Sequence, residues 1–302
     1  MTPLTLDHLL IAVRDLDAAS ANYQRLLGLK PSWHGRHPTY GTANVLFRLD
    51  NCYVELLAPA AGGANDSPWL QALRGHLDAR GEGLYAIALG TDDIDATVAS
   101  ARERGLDVLN PADGDGVDLA TGARRAWRNA RIRQESTRGV NAFFIQHLSP
   151  PDALPLAEPL AGEGCVQGVD HTVVASSDLD STLALWRDAL GVELRRTVEW
   201  SPERSLHFLR LGGADGWGSI LELAGDPNPE RRGERDLLWG VSYRVADAAA
   251  TVARLRSQGI ELSDAPTGRA DGTAVADLKP GFSHDVRTLF IQKPYATEGP
   301  AS

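Results

Sequence analysis

The sequence predicts an α+β fold of two tandem modules, each built from two βαβββ units. Three observations carry this. Residues 6–30 and 169–193 align without gaps, with identity at Asp7/Asp170, His8/His171, Ala12/Ala175, Asp15/Asp178, Leu16/Leu179, Asp17/Asp180, Ala21/Ala184, Leu27/Leu190 and Gly28/Gly191. Residues 85–109 and 239–263 share Asp93/Asp247, the run Ala96-Thr97-Val98-Ala99 (Ala250-Thr251-Val252-Ala253), Arg102/Arg256 and Gly105/Gly259. Each of these later segments leads to the same tripeptide, Phe144-Ile145-Gln146 and Phe290-Ile291-Gln292. Self-similarity of this kind marks duplicated supersecondary units.

All four segments follow one pattern: a short apolar strand, an Asp, a helix of about ten residues, then a Gly. In the first unit, residues 9–13 form an apolar run that suits a buried strand. Asp15 or Asp17 can cap the helix that follows, a carboxylate accepting a free backbone N–H. Leu16, Ala19, Tyr23, Leu26 and Leu27 recur at helical spacing and make one apolar face, and Gly28 stands where a left-handed residue ends a helix. Strands are expected around residues 44–49 and 53–57, with Asp50-Asn51 as the turn between them. The strand directly after the helix is the least marked. Pro150, Pro151, Pro155 and Pro159 make residues 149–164 a stiff, extended, non-helical linker. It separates an N-terminal module, 1–148, from a C-terminal module, 165–302. Residues 113–118 and 230–235 read as surface connections.

The 302 residues suit two domains, and the 43 % hydrophobic content lets each bury a core. A net charge of −10 without a basic run argues against nucleic-acid binding, which needs clustered Lys and Arg. No stretch approaches the roughly 20 apolar residues of a membrane helix. The first residues carry neither a basic nor an apolar leader segment, so a cytoplasmic protein is expected, monomer or homodimer. Cys52 and Cys165 lie far apart and outside any Cys-x-x-Cys pair, which suits two reduced thiols.

Residues 7–17 and 170–180 resemble the first strand and helix of vicinal-oxygen-chelate proteins, the superfamily of glyoxalases, bleomycin-resistance proteins and extradiol dioxygenases. Gly35-Arg36-His37-Pro38, Gly41-Thr42-Ala43-Asn44 and Tyr53-Val54-Glu55-Leu56-Leu57 are most similar to its glyoxalase-like domain group. The resemblance covers almost the whole chain. It implies that the two units of each module curl into one mixed sheet, a cup, with metal ligands on the first and last strands of the units. Carried over by position, it implies His8, Glu55 and Gln146 as ligands of a divalent metal ion in the first module, and His171, Glu222 and Gln292 in the second. The remaining positions fall on Ala86 and Gly240, which cannot ligate. Such a site would be weaker than two histidines and a carboxylate, which speaks against extradiol Fe(II) chemistry.

Glu55 and Glu222 stand in apolar strands, where a buried, charged and unpaired carboxylate costs several kcal/mol. Each needs a partner, a proton or solvent, and Glu55 is the candidate catalytic base. His8 and His171 are either ligands or packed core residues. Residues 125–133 alternate like a strand, with Arg125, Trp127, Asn129, Arg131 and Arg133 on one face. That face, with Asn44, Arg36 and His37, offers stacking and anion binding, or else a solvated surface. The leading expectation is a metal-dependent enzyme of lyase, isomerase or dioxygenase type, acting on a small oxygenated molecule through a metal-stabilised oxyanion. Catalysis is expected mainly in the first module, where Arg131 or Arg125 would hold the anionic or oxygenated part of the substrate and Trp127 its apolar part. The alternatives are a metal-free protein that sequesters a small molecule in the same fold, and a structural module.

Overall fold

The computed structural model describes residues 3–60, 67–160, 164–201, 204–212, 219–225, 235–262, 267–268, 273–279 and 281–293. The first unit comprises β1 (Thr5–Ala12), α1 (Leu16–Leu27), β2 (Trp33–His37), β3 (Thr42–Arg48) and β4 (Tyr53–Pro59). A helix outside the repeat pattern follows, α2 (Pro68–Arg80). The second unit is β5 (Gly83–Gly90), α3 (Ile94–Glu103), β6 (Ala112–Asp118), β7 (Arg124–Arg131) and β8 (Ala142–His147). The second half repeats the order as β9 (Val166–Ser176), α4 (Leu179–Ala184), β10 (Glu193–Ser201), β11 (Arg204–Leu211), β12 (Ser219–Gly225), β13 (Leu237–Val245), α5 (Ala248–Ser257), β14 (Thr267–Gly268), β15 (Ala274–Asp277) and β16 (Arg287–Gln292).

The shared Asp and Gly residues have the local roles that the pattern suggested. Asp15, Asp93, Asp178 and Asp247 are the N-caps of α1, α3, α4 and α5, each accepting a hydrogen bond from the backbone N–H three residues on. Asp15, not Asp17, caps α1. Gly28 follows α1 at φ 72°, a conformation that costs a residue with a Cβ.

β1 pairs parallel to β4 and antiparallel to β5, so the two units of a module share one sheet. In the first module the ring closes in the order β1-β4-β3-β2-β6-β7-β8-β5. The closing seam is short: Gly35 pairs with Asp118 and Arg36 with Val117. The second sheet has the same neighbours but runs openly from β10 to β14 among the described residues. Helices α1 and α3 cover the outside, with Tyr23, Leu26 and Leu27 fully buried in a core that continues into the second module.

Two readings of the loops need correction. Residues 113–118 form β6, a barrel strand, and not a surface connection. Their glycines have a packing role: Gly114 faces Trp127 across the β6–β7 pair, and a Cβ there would lie 2.3 Å from the indole nitrogen. Most of 230–235 lies outside the described residues. The Pro-rich linker is not simply extended, because Pro151–Ala153 form one 3-10 turn, which Pro tolerates in its first positions. Nor does it stand free. Leu154 is buried with Trp33, Leu46 and Tyr53, and Ala157 N–H donates to the Arg48 carbonyl at 2.8 Å.

The halves are bolted together through backbone groups. Asn51 donates to the Val169 carbonyl and accepts from the Val169 N–H, at 2.7 and 3.1 Å. The Arg254 guanidinium donates to the Arg25 and Leu26 carbonyls at the C-terminal end of α1, and to Gly164. Removing that guanidinium leaves the Arg25 and Leu26 carbonyls without this donor, so Arg254→Met should lower the stability of the full chain by about 1–3 kcal/mol in urea unfolding monitored by circular dichroism. An unchanged midpoint would mean that solvent replaces these bonds without cost.

Candidate functional site

Alternate residues of a barrel strand point inward. His8 and Leu10 enter from β1, Asn44 from β3, Tyr53 and Glu55 from β4, and Arg125, Trp127 and Asn129 from β7. With Phe143 and Ile145 of β8, Tyr40, and Trp69 of α2, they line a cavity that, with its open mouth, encloses about 560 Å³. Its walls are largely aromatic. The Trp69 and Phe143 rings meet edge-on at 5.4 Å, as do His37 and Trp127 at 5.4 Å. Asn129 donates to the Tyr40 hydroxyl at 2.7 Å.

The floor is polar. His8 is 2 % exposed and Glu55 5 %. The His8 ring stacks on Tyr53 at 4.3 Å, and its two nitrogens face carboxylates: Nδ1 lies 2.6 Å from Asp7 and Nε2 lies 3.3 Å from Glu55. Asp7 also meets His147 Nε2 at 3.0 Å. Asn44 Nδ2 reaches Glu55 at 2.9 Å and His37 Nε2 at 3.0 Å, while His37 Nδ1 lies 2.9 Å from the Thr42 hydroxyl. These contacts assign His37 as neutral, with its proton on Nδ1 and its Nε2 lone pair used by Asn44. Burial indeed pushes its pKa down from 6.5.

Burial alone would discharge His8, Asp7 and Glu55. For His8 the bonds from Asp7 and Glu55 outweigh burial, and its pKa is raised from 6.5. For Glu55 burial pushes up, but the bonds from His8 and Asn44 and the charge on His8 hold the carboxyl below its usual 4.5. For Asp7 burial is likewise overcome by bonds to His147 and His8, and its pKa lies well below 3.8. All three shifts favour the charged forms, so the geometry suits an imidazolium between two carboxylates.

The inward placement holds for His8, Glu55, Asn44, Arg125, Trp127 and Asn129, all of which line the cavity. It fails for Gln146, expected to point inward as a ligand. Phe143 and Ile145 face the cavity, so Gln146 falls on the helix side of β8, where it accepts the Ile94 N–H and donates to the Asp92 carbonyl. Gln292 does the same in the second module, accepting the Ala248 N–H at 2.9 Å. The shared glutamine is a helix N-terminal partner in both halves. Arg131 is not among the residues that line the cavity either: its guanidinium lies over the Trp69 ring, 5.0 Å from the centroid. Arg36 is exposed. The residue opposite His8 on β5 is Ala88, and Ala86 faces Leu10. In the second module the residue opposite His171 is Ser242, not Gly240. There His171 meets Asp170 at 2.8 Å, the Ser242 hydroxyl at 2.8 Å and Glu222 at 3.5 Å. Tyr40, Trp69 and His147 escaped the sequence reading. Trp69 lies on a helix outside the repeat, signalled only by Ser67 as N-cap and Pro68 at the first turn.

The donor set does not fit the divalent metal ion that the resemblance implies. Asp7 behind His8 would suit a ligand imidazole, but the rest is wanting. Ala88 and Phe143 occupy the opposite wall, Gln146 is turned away, and the His37 Nε2 lone pair is used by Asn44. Asn44 Oδ1, buried without a hydrogen-bond partner, is a single neutral oxygen. Among the described residues no group of three His, Cys, Asp or Glu side chains is arranged to hold a metal.

The floor also sets a pH dependence. Folded Asp7 and Glu55 have lowered pKa values, so their contribution is full above the ordinary 3.8 and 4.5 and is lost as pH falls. Folded His8 has a raised pKa, so its contribution is full below 6.5 and is lost as pH rises through the folded value. All three act together between pH 4.5 and 6.5. His8→Gln should cost about 3 kcal/mol in that window, because it leaves the buried Glu55 carboxylate without its charged partner and takes one of two partners from Asp7. The gap to wild type should narrow on either side of it in thermal unfolding followed across pH. A pH-independent gap would contradict the charged floor.

Comparison with known proteins agrees with this architecture. Residues 6–162 match the model of the glyoxalase-like domain, and residues 170–276 that of the glyoxalase/bleomycin resistance protein/dioxygenase superfamily. Mitochondrial methylmalonyl-CoA epimerase of Homo sapiens is 31 % identical over 105 residues, 35 % of this chain and 56 % of that protein. The ethylmalonyl-CoA/methylmalonyl-CoA epimerase of Cereibacter sphaeroides is 32 % identical over 108 residues, 36 % of this chain and 76 % of that protein. The chain thus spans about half the length of the mitochondrial relative it matches. Among solved structures, a mutant of 4-hydroxymandelate synthase from Streptomyces coelicolor superposes with a TM-score of 0.67 at 16 % identity, over 98 % of this chain and 94 % of that one. The Mn(II)-bound glyoxalase from Novosphingobium aromaticivorans gives 0.62 at 20 % identity, over 97 % and 83 %. At such identities these two are likenesses of fold. The pair of matched domain models, together with the repeated βαβββ units, places the chain in the glyoxalase-like domain family of the vicinal-oxygen-chelate superfamily.

Proposed function

We propose that the N-terminal cup takes up a small, largely aromatic molecule and holds it without a metal ion. The observation that carries this reading is the floor. Its histidines and carboxylates satisfy one another, while Trp127, Trp69, Phe143 and Tyr40 form walls that suit a planar ring. The metal-stabilised oxyanion chemistry expected from the resemblance lacks its donors here.

A second reading is supported by one further contact. Glu55 lines the cavity as a carboxylate and lies 3.3 Å from a His8 imidazolium. Such a pair can accept a proton from a bound molecule and return it, so a metal-free isomerase or lyase is the enzymatic form of the same site. In that form Glu55→Gln abolishes turnover but leaves binding in place.

The experiment is thermal unfolding of the full chain, purified without chelator, with EDTA, with Mn²⁺ or Zn²⁺, and with indole or phenol. EDTA and the metals should leave the melting temperature unchanged. A ring compound at about 100 times its Kd should stabilise by about 2.7 kcal/mol, an effect that Trp127→Ala removes. A stoichiometric metal whose removal lowers the melting temperature would overturn the proposal.

A further inference from the structure

Arg125 is 7 % exposed and lines the N-terminal cavity. Its guanidinium lies over the rings of Trp33 and Tyr53, 5.7 and 5.5 Å from their centroids. Among the described residues no carboxylate forms an ion pair with it. The acidic groups of the floor are committed elsewhere, Asp7 to His8 and His147, and Glu55 to His8 and Asn44. Ring faces attract a cation, but they do not neutralise its charge or satisfy five N–H donors. A buried cation without a direct ion-pair partner is costly. It is retained where something that binds supplies the anion.

We propose that the ligand of this cup is an aromatic monocarboxylate, with its carboxylate on Arg125 and its ring among Trp127, Trp69 and Phe143. This rests on the binding reading above and adds the charge of the ligand. The planar guanidinium fork matches a carboxylate with two parallel bonds. One cation balances one negative charge. Glu55, ionised in the same cavity, repels a second anionic group, which argues against a dicarboxylate or a phosphate dianion.

The test is calorimetric titration of the full chain with benzoate, phenylacetate and 3-phenylpropionate, each against its neutral amide. The best carboxylate should bind about ten-fold or more tightly than its amide, the usual range for hydrogen bonds to a charged group. Arg125→Met should erase that preference and keep amide binding, and Arg125→Lys should retain part of it. The lysine variant and the acid–amide ratio in wild type decide the matter even if the methionine variant does not fold. Equal binding of acid and amide to wild type would overturn the anionic ligand and leave the aromatic cup standing. Absence of binding by every acid and amide would overturn both.

Discussion

Glu55 stands in the middle of an apolar strand, 5 % exposed, and the floor of the first module is arranged around keeping it charged. His8 gives it an imidazolium at 3.3 Å, Asp7 fixes the other ring nitrogen at 2.6 Å, and Asn44 donates from the side. Breaking such a set by removing one member is far more costly than never having built it. The closed ring of strands is what makes the set possible. His8 and Glu55 come from neighbouring parallel strands, β1 and β4, and Asn44 from β3 beyond, with the pleat turning all of them to one side. A register slip of one residue on any of these strands would send its polar group into the helix-covered core.

The second module shows what the same scaffold does with other side chains. The Asp-His pair and the strand glutamate are kept, but Ser242 stands where the first module has Ala88, and its hydroxyl shares the His171 Nε2 with Glu222. The described part of its sheet is open, while the first is closed by two residue pairs at β2 and β6. Its apolar core is continuous with that of the first module, and Asn51 and Arg254 tie the two backbones together. On this account the second module buttresses the first.

Much of the fold was legible in the sequence because its signals are local. An Asp that caps and a Gly that ends a helix act over a few residues, and the duplication shows them four times. His8 and Glu55 could be placed together because each sits in a strand with clear alternation. Gln146 could not, since the run Ala142-Phe143-Phe144-Ile145-Gln146 is apolar on both faces and gives no parity. Its repetition as Gln292 reflected a helix-end partner and not a ligand. Residues 113–118 read as a surface connection because Gly and Asp dominate there, yet Gly114 leaves space for the Trp127 indole on the next strand. Trp69 and the docking of the Pro-rich segment depend on contacts between elements distant in sequence, which no local pattern encodes.

The central claim is that the floor of the cup is an imidazolium held between two carboxylates and not a metal site. Long-range ¹H–¹⁵N correlation spectra of the histidine rings in the full chain, recorded at pH 6, test it directly. The account predicts that His8 carries protons on both ring nitrogens and that His37 is neutral with its proton on Nδ1. Adding Zn²⁺ should leave both patterns unchanged. A neutral His8 with a bare Nε2, or a His8 Nε2 resonance shifted by stoichiometric Zn²⁺, would contradict it.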